Sequence, residues 1–231
     1  MGVIPGMDPG FYGIERPPVR LTYVNHSSVV SSGNINHPGS GIESGDLLIY
    51  IGLAMDTGGD PPSMSTPSNY SSLLTDSATP GGSAGYRIVA ARKIADGTED
   101  GSGINVSSSG GTEGEAAIII QFRPNIPIGT VTLVDSDSEI TTNNPSSQTQ
   151  GGTGIKANLH VALYSGSSAV TSRSYTPAED MEVTLTTEGI TNNYVKWKTF
   201  FPTDAAEAVV VDMADFGNNV LMSFTLLCEA A

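Results

Sequence analysis

The chain has 231 residues, 27 of them glycine and 14 proline, with 15% charged residues and a formal net charge of −14 from 24 acidic and 10 basic side chains. That length can bury a core as one all-β domain, and 38% hydrophobic content at low charge excludes wholesale disorder. A nucleic-acid binder needs a positive footprint to displace phosphate counterions, and so acidic a chain is expected to bind no nucleic acid; its charge suits solubility or a basic partner surface.

Residues 1–18, "MGVIPGMDPGFYGIERPP", hold too much Gly and Pro for a helix and show no period of two. Phe11, Tyr12 and Ile14 are apolar anchors, followed by Arg16, so the segment reads as an extended arm that docks on a neighbour. It has neither the basic stretch nor the apolar stretch of a secretion signal. Gly6 stands where a myristoylation signal needs Ser or Thr. No apolar run approaches the ~20 residues of a membrane span, so no membrane partner is expected.

From Val19 onward, strand-like runs alternate with punctuated loops. "VRLTYVN" alternates, "DLLIYIGLA" is continuous enough to be covered on both faces, and "YRIVAARKI" alternates again. "EAAIIIQFR" is a second core run, followed by "GTVTLVDS", "NLHVALYS", "MEVTLTT", "VKWKTFF", "EAVVVDM" and "VLMSFTLLC". These about ten runs are rich in Val, Ile, Thr and aromatics, with turn residues between them. Only "DAAEAVVVDMADF" has room for a helical turn. Residues 56–85 and 135–156 read as long loops, of the kind that carry function, and no repeat of about 20–50 residues is visible. The expected fold is an antiparallel β-sandwich of jelly-roll type, one domain over 19–231 behind the 1–18 arm.

Chemistry is sparse. "GGSAG" satisfies G-x-S-x-G at Ser83, but that nucleophile motif needs a strand before it and a helix after it, and here a strand follows. His26, His37 and His160 have no metal-ligand spacing, and His160 sits among strand residues. Cys228, the single cysteine, lies in phase with apolar neighbours and reads as a buried small hydrophobe. No cofactor is expected. Asp96, Glu99 and Asp100 in one turn, and Asp135, Asp137 and Glu139 in another, read as solvated turns; calcium at the first is the metal of choice if one is held. Lys196 and Lys198 read as a solvated face with Trp197 pointing inward. Tyr70 and Tyr194 are the candidate ligand contacts, as sugar-stacking faces, against the plainer reading that each packs on its own sheet.

"SGDLLIYIGLA", the Pro/Ser loop with "SNYSSLL", "GYRIVAARKIADGTED" and "EGEAAIIIQFR" together resemble a module of tailed-bacteriophage virion proteins, over residues 43–125 with an echo in "SFTLL". Tyr70 stands where that module often carries Trp. The resemblance implies a non-enzymatic β-sandwich component of the particle exterior, decorating or cementing the head or belonging to the tail. Its partners would be capsid or tail subunits, and it would form a homo-oligomer, most naturally a trimer. It would be made in the host cytoplasm without a signal peptide and end in the virion. A receptor- or glycan-binding tail module is the second reading and a hydrolase the third.

Overall fold

The run Leu47–Asp56 is buried at every position but its last. A strand whose successive side chains point to opposite faces must therefore be covered twice. A computed structural model of the chain shows how, and describes residues 16–29, 33–82, 84–106, 108–109, 114–142, 145, 147–151, 155–166, 173–185, 193–202, 208–213 and 218–231.

In chain order the first strands are β1 (Leu21–Val29), β2 (Gly33–Asn36), β3 (Leu47–Asp56), β4 (Ser63–Met64), β5 (Ser71–Ala78), β6 (Gly85–Ile94), β7 (Gly103–Val106), β8 (Ser108–Ser109) and β9 (Gly114–Pro124). They are followed by β10 (Ile128–Thr141), β11 (Gln148–Gln150), β12 (Leu159–Gly166), β13 (Arg173–Thr176), β14 (Met181–Leu185), β15 (Asn193–Thr199), β16 (Val209–Met213) and β17 (Asn219–Ala230). Among the described residues the helical content is one 3₁₀ turn, Pro80–Gly82. Two central five-stranded sheets, β1-β9-β3-β6-β5 and β10-β17-β12-β15-β14, are antiparallel throughout.

Alternate residues of β3 go two ways. Leu47, Ile49, Ile51 and Leu53 share one core with Val161, Trp197, Phe224 and Leu226 of the opposing sheet. Leu48, Tyr50 and Ala54 face outward, into a second core closed by Ile35, Met64, Tyr70 and Ile104. The pairs β2–β7 and β4–β8 supply part of that cover. Gly52 makes room for it, because a Cβ there would collide with the Tyr50 hydroxyl and the Met64 sulfur. On the other side the three-stranded sheet β11-β16-β13 covers Ala162, Tyr164 and Leu221 with Val209, Val211, Met213 and Tyr175. The molecule is a sandwich of two sheets with a further layer on each outer face.

This layering corrects several expectations. All ten expected runs are strands, yet residues 56–85 are not a long loop, since they hold β4 and the edge strand β5. The serines of β5 and its half-exposed face disguise it. Residues 135–156 likewise contain the end of β10 and all of β11. Val209–Met213 is a strand, not a helical turn. Trp197 does point inward, but Lys196 on the opposite face is 6% exposed, because that face lies under the outer layer. The chain also does not shuttle between the two central sheets as a jelly roll would. It crosses between them once, after β9, and otherwise alternates between a central sheet and its own cover. Residues 16–18 of the expected arm are described with the body, while Phe11, Tyr12 and Ile14 lie outside the described residues.

A polar pin fixes the start of β3. Asp46 is 1% exposed and accepts from Glu43 N at 2.9 Å, Gln121 Nε2 at 2.6 Å, and Arg123 Nε and Nη2 at 3.0 Å each. Burial alone would raise its pKa, but the hydrogen bonds from Arg123, the Glu43 amide and Gln121 outweigh it and hold the carboxyl below its ordinary value. A carboxyl with a depressed folded pKa stabilises fully above its unfolded pKa of about 3.9 and loses that contribution as pH falls through the folded value. Asp46→Asn is therefore expected to cost about 1–3 kcal/mol at pH 7, with the gap to wild type narrowing as pH falls to 3. Urea unfolding at both pH values measures it, and an equal gap at the two would show that the carboxylate charge contributes nothing.

Candidate functional site

The expected docking arm has its root at the end of the sandwich where β9 and β17 terminate. Arg16 Nη1 donates to Ala230 O at 2.9 Å. Val19 is 1% exposed, and its carbonyl accepts from Asn158 Nδ2 at 2.6 Å. Arg20 N donates to Asn125 Oδ1 at 2.6 Å, and the Arg20 guanidinium lies 4.1 Å from the centre of the Phe201 ring. Residues 16–20 are thus stitched to the second central sheet and to the segment between the sheets, and run on directly into β1 of the first. Between this root and the end of β17 runs a groove of about 510 Å³, lined by Arg16, Pro18, Thr130, Lys156, Pro202 and Leu227 among others. Cys228 borders it at 2% exposure, its thiol pushed up to about 12 by burial, as fits a packing group.

The two tyrosines proposed as ligand contacts are otherwise engaged. Tyr70 is 9% exposed. Its hydroxyl donates to His37 Nε2 at 2.9 Å, while the His37 Nδ1–H donates to Ser102 O at 2.8 Å, one tautomer serving both bonds. Its ring stacks at 6.1 Å on that imidazole and meets Tyr50 edge-on. Tyr194 is half-buried, and the Arg173 guanidinium carbon lies 3.4 Å from its ring centre. Arg173 forks onto Glu182 at 3.0 and 2.7 Å, and Lys196 bridges Glu179 at 2.7 Å and Glu182 at 3.0 Å. The Arg173 hydrogen bond is what holds the Glu182 carboxyl below its usual range. The ring face that a sugar would use is already occupied by a cation.

The acidic turn spends its carboxylates on backbone donors. Asp96 accepts from Thr98 N and Oγ1 at 2.9 and 2.6 Å. Glu99, 3% exposed, accepts from Asp96 N at 3.0 Å, Gly97 N at 2.9 Å and Lys93 Nζ at 2.7 Å. Asp100 accepts from Ile42 N at 2.8 Å. Among the described residues no three His, Cys, Asp or Glu side chains gather as a metal site. Asp135, Asp137 and Glu139 stand at alternate positions of β10, His26 Nδ1 pairs with the Tyr23 hydroxyl at 2.8 Å, and Ser83 lies outside the described residues.

Sequence reasoning passed over two buried polar groups with multiple hydrogen bonds, Asp46 and Asn158. Both are 1% exposed or less and both open a central strand. The available signal was a polar residue directly before an apolar run, in "SGDLLIYI" and "KANLHVAL". A second groove, about 470 Å³, runs between Pro61, Met64, Ser77 and Arg87 on the outside of the first sheet, where Arg87 Nη1 reaches Ser77 Oγ at 3.4 Å. No family model matches the chain, and no curated protein matches it.

His160 is 0% exposed, beside its cross-strand neighbours Thr225 and Lys198. Its Nδ1 meets the Tyr175 hydroxyl at 2.5 Å, and burial pushes its pKa down to about 3. The unfolded chain takes up a proton below about pH 6.5 that the folded chain refuses, so stability falls from there toward pH 3, by up to about 1.4 kcal/mol per pH unit for this one proton. His160→Gln is expected to flatten the decline of unfolding free energy between pH 6 and pH 4. An unchanged slope would mean that the folded protein protonates this ring.

Proposed function

We propose that this chain is a non-enzymatic structural component on the exterior of a tailed-bacteriophage particle, fastened to capsid or tail subunits by its N-terminal arm. The observation that carries the reading is the stitched root. Arg16, Val19 and Arg20 fasten the start of the body to Ala230, Asn158 and Asn125. Tension on residues N-terminal to that root would then pass into the second sheet through Ala230 and Asn158 and into the first through β1, as an anchored arm requires. The resemblance of residues 43–125 to virion modules supports the same reading, as does an acidic exterior with a formal charge of −14. A symmetric homo-oligomer, a trimer foremost, fits a site on a symmetric particle. The receptor- or glycan-binding reading has less behind it, since Tyr70 is buried and the Tyr194 ring is covered by Arg173.

Quantitative mass spectrometry of purified particles that encode this chain tests the proposal. Hundreds of copies per particle would fit a decoration or cement protein, and a few to a few tens would fit the tail. Absence from the particle would sink it. Deleting residues 2–15, which leaves the Arg16–Arg20 root in place, is expected to abolish incorporation while the thermal unfolding of the purified protein stays unchanged. Normal incorporation of that variant would refute the arm.

A further inference from the structure

The two central sheets are built alike. Taken in chain order, the five strands of each sheet lie side by side as first, fifth, second, fourth, third: β1-β9-β3-β6-β5 in one and β10-β17-β12-β15-β14 in the other. The departures from the sheets agree as well. After its first strand each half sends a short strand to its outer cover (β2, β11), after its second another (β4, β13), and between its fourth and fifth a third (β7 and β8, β16). In both covers the third excursion pairs with the first and with the second.

Antiparallel sheets reuse a few connection patterns, so strand order alone proves little, but finer marks agree too. The first strand of each half carries a bulge at the same place. Val24 is extra between Tyr23, opposite Phe122, and Asn25, opposite Gln121. Val134 is extra between Leu133, opposite Leu226, and Asp135, opposite Thr225. Phe122 and Leu226, the residues facing the two bulges, also pair with the first residues of the second strands, Leu47 and Leu159.

Just before those strands stand Asp46 and Asn158, whose carbonyls accept from Ala95 N and Phe200 N, each at 2.8 Å. Both side chains also reach the fifth strand of their own sheet, at Gln121 and at Cys228 N. Each half closes with a backbone hydrogen bond across its first and fifth strands, Asn125 N to Arg20 O and Ala231 N to Pro127 O, each at 3.0 Å, but counted from the bulges the second half runs further and has an extra register shift between Ile128 and Thr130 that the first lacks. Residues 20–125 therefore correspond to 130–229, with 127–129 and 230–231 added at the ends of the second copy.

The two sheets pack with their strand orders opposed. The third strand of the first half meets the first strand of the second, where Ser138 Oγ donates to Asp76 at 2.7 Å. At the opposite margin the first strand of the first half meets the fourth strand of the second, where the Tyr23 and Trp197 rings lie 5.1 Å apart. An approximate two-fold axis between the sheets accounts for the opposed order, although the contacting pairs at the two margins differ by one strand.

We infer that the chain is two tandem copies of one folding unit, and that the inner sheet face of each is a docking surface whose partner is a second copy of the unit. The interface is that of a homodimer made intramolecular by the short connection at 125–127, which keeps the partner at high effective concentration while the copies diverge. Divergence shows in the pins, a charged Asp46–Arg123 pair in one copy and a neutral Asn158 in the other. It also shows in the covers: where the first copy closes with Ile35 and Ile104, the second uses Gln148 and Gln150 bonded to Ser223 and Thr225. This inference stands independently of the virion reading.

If the units are complete copies, their order along the chain is immaterial. The test keeps every residue. A circular permutant starts at Pro127, runs to Ala231 and continues through residues 1–126, so that native residues 1–15 bridge to Arg16, whose guanidinium already touches Ala230. It is expected to unfold in one cooperative transition with Tm within about 4 °C of wild type. In a parallel protein, a protease site inserted at 125–127 is cut after folding; the two fragments are expected to co-elute one to one and to reassemble after denaturation and dilution. A permutant without a cooperative transition, or cut fragments that separate or fail to reassemble, would overturn the inference.

Discussion

A strand that is apolar on both faces has no water-facing side to sacrifice, and in this chain β3, β9, β12 and β17 are such strands. Each central strand needs two neighbours in its own plane for its backbone, and one layer above and one below for its side chains. Two sheets alone would leave Leu48, Tyr50, Ile119, Tyr164 and Leu221 wet, at a cost of about 1.5–3 kcal/mol for each large side chain. The outer strands β2, β4, β7 and β8, and the sheet β11-β16-β13, are answers to that demand. They are short, and β11, β13 and β16 alternate buried with more exposed positions, as strands covered on one face do.

Once the layers are stacked, polar groups trapped between them must be satisfied from within. Asp46 collects Arg123, Gln121 and a backbone amide, Asn158 ties Val19 to Cys228, and Gln148 and Gln150 bond across to Ser223 and Thr225. These bonds do more than avoid desolvation penalties. An apolar layer can slide on another at little cost, whereas a buried amide bonded to a single carbonyl sets the register of the element that carries it. Trp197 is one counterexample, its indole N–H buried with no hydrogen-bond partner among the described residues. Its contacts with Tyr23 and Phe122 offset that loss across the inner core.

Among the described residues, several reactive side chains are engaged by structure: His37 and Tyr70 bond each other, His160 is buried and held neutral, Glu99 caps a turn, and Arg173, Glu182 and Lys196 neutralise one another around Tyr194.

Hydrophobic runs determined the strand class by themselves. "DLLIYIGLA", "EAAIIIQFR" and "NLHVALYS" are continuous over too few residues for an ordinary helix and too many for a loop, so the ten strong strands were legible, as were the inward Trp197 and the buried Cys228. Local pattern also carried the polar residue before each central run. The edge strand β5, the cover strands and the fate of Lys196 were decided only by tertiary structure, because a half-covered polar segment has the same composition as a solvated loop until the layer beneath it exists. The burial of Tyr70 depended on His37, distant in the chain and brought to it by the fold. The equivalence of the two halves was hidden for a related reason: bulges, strand order and backbone hydrogen bonds are properties of pairing, and pairing leaves only a hydrophobic rhythm in the residues that obey it.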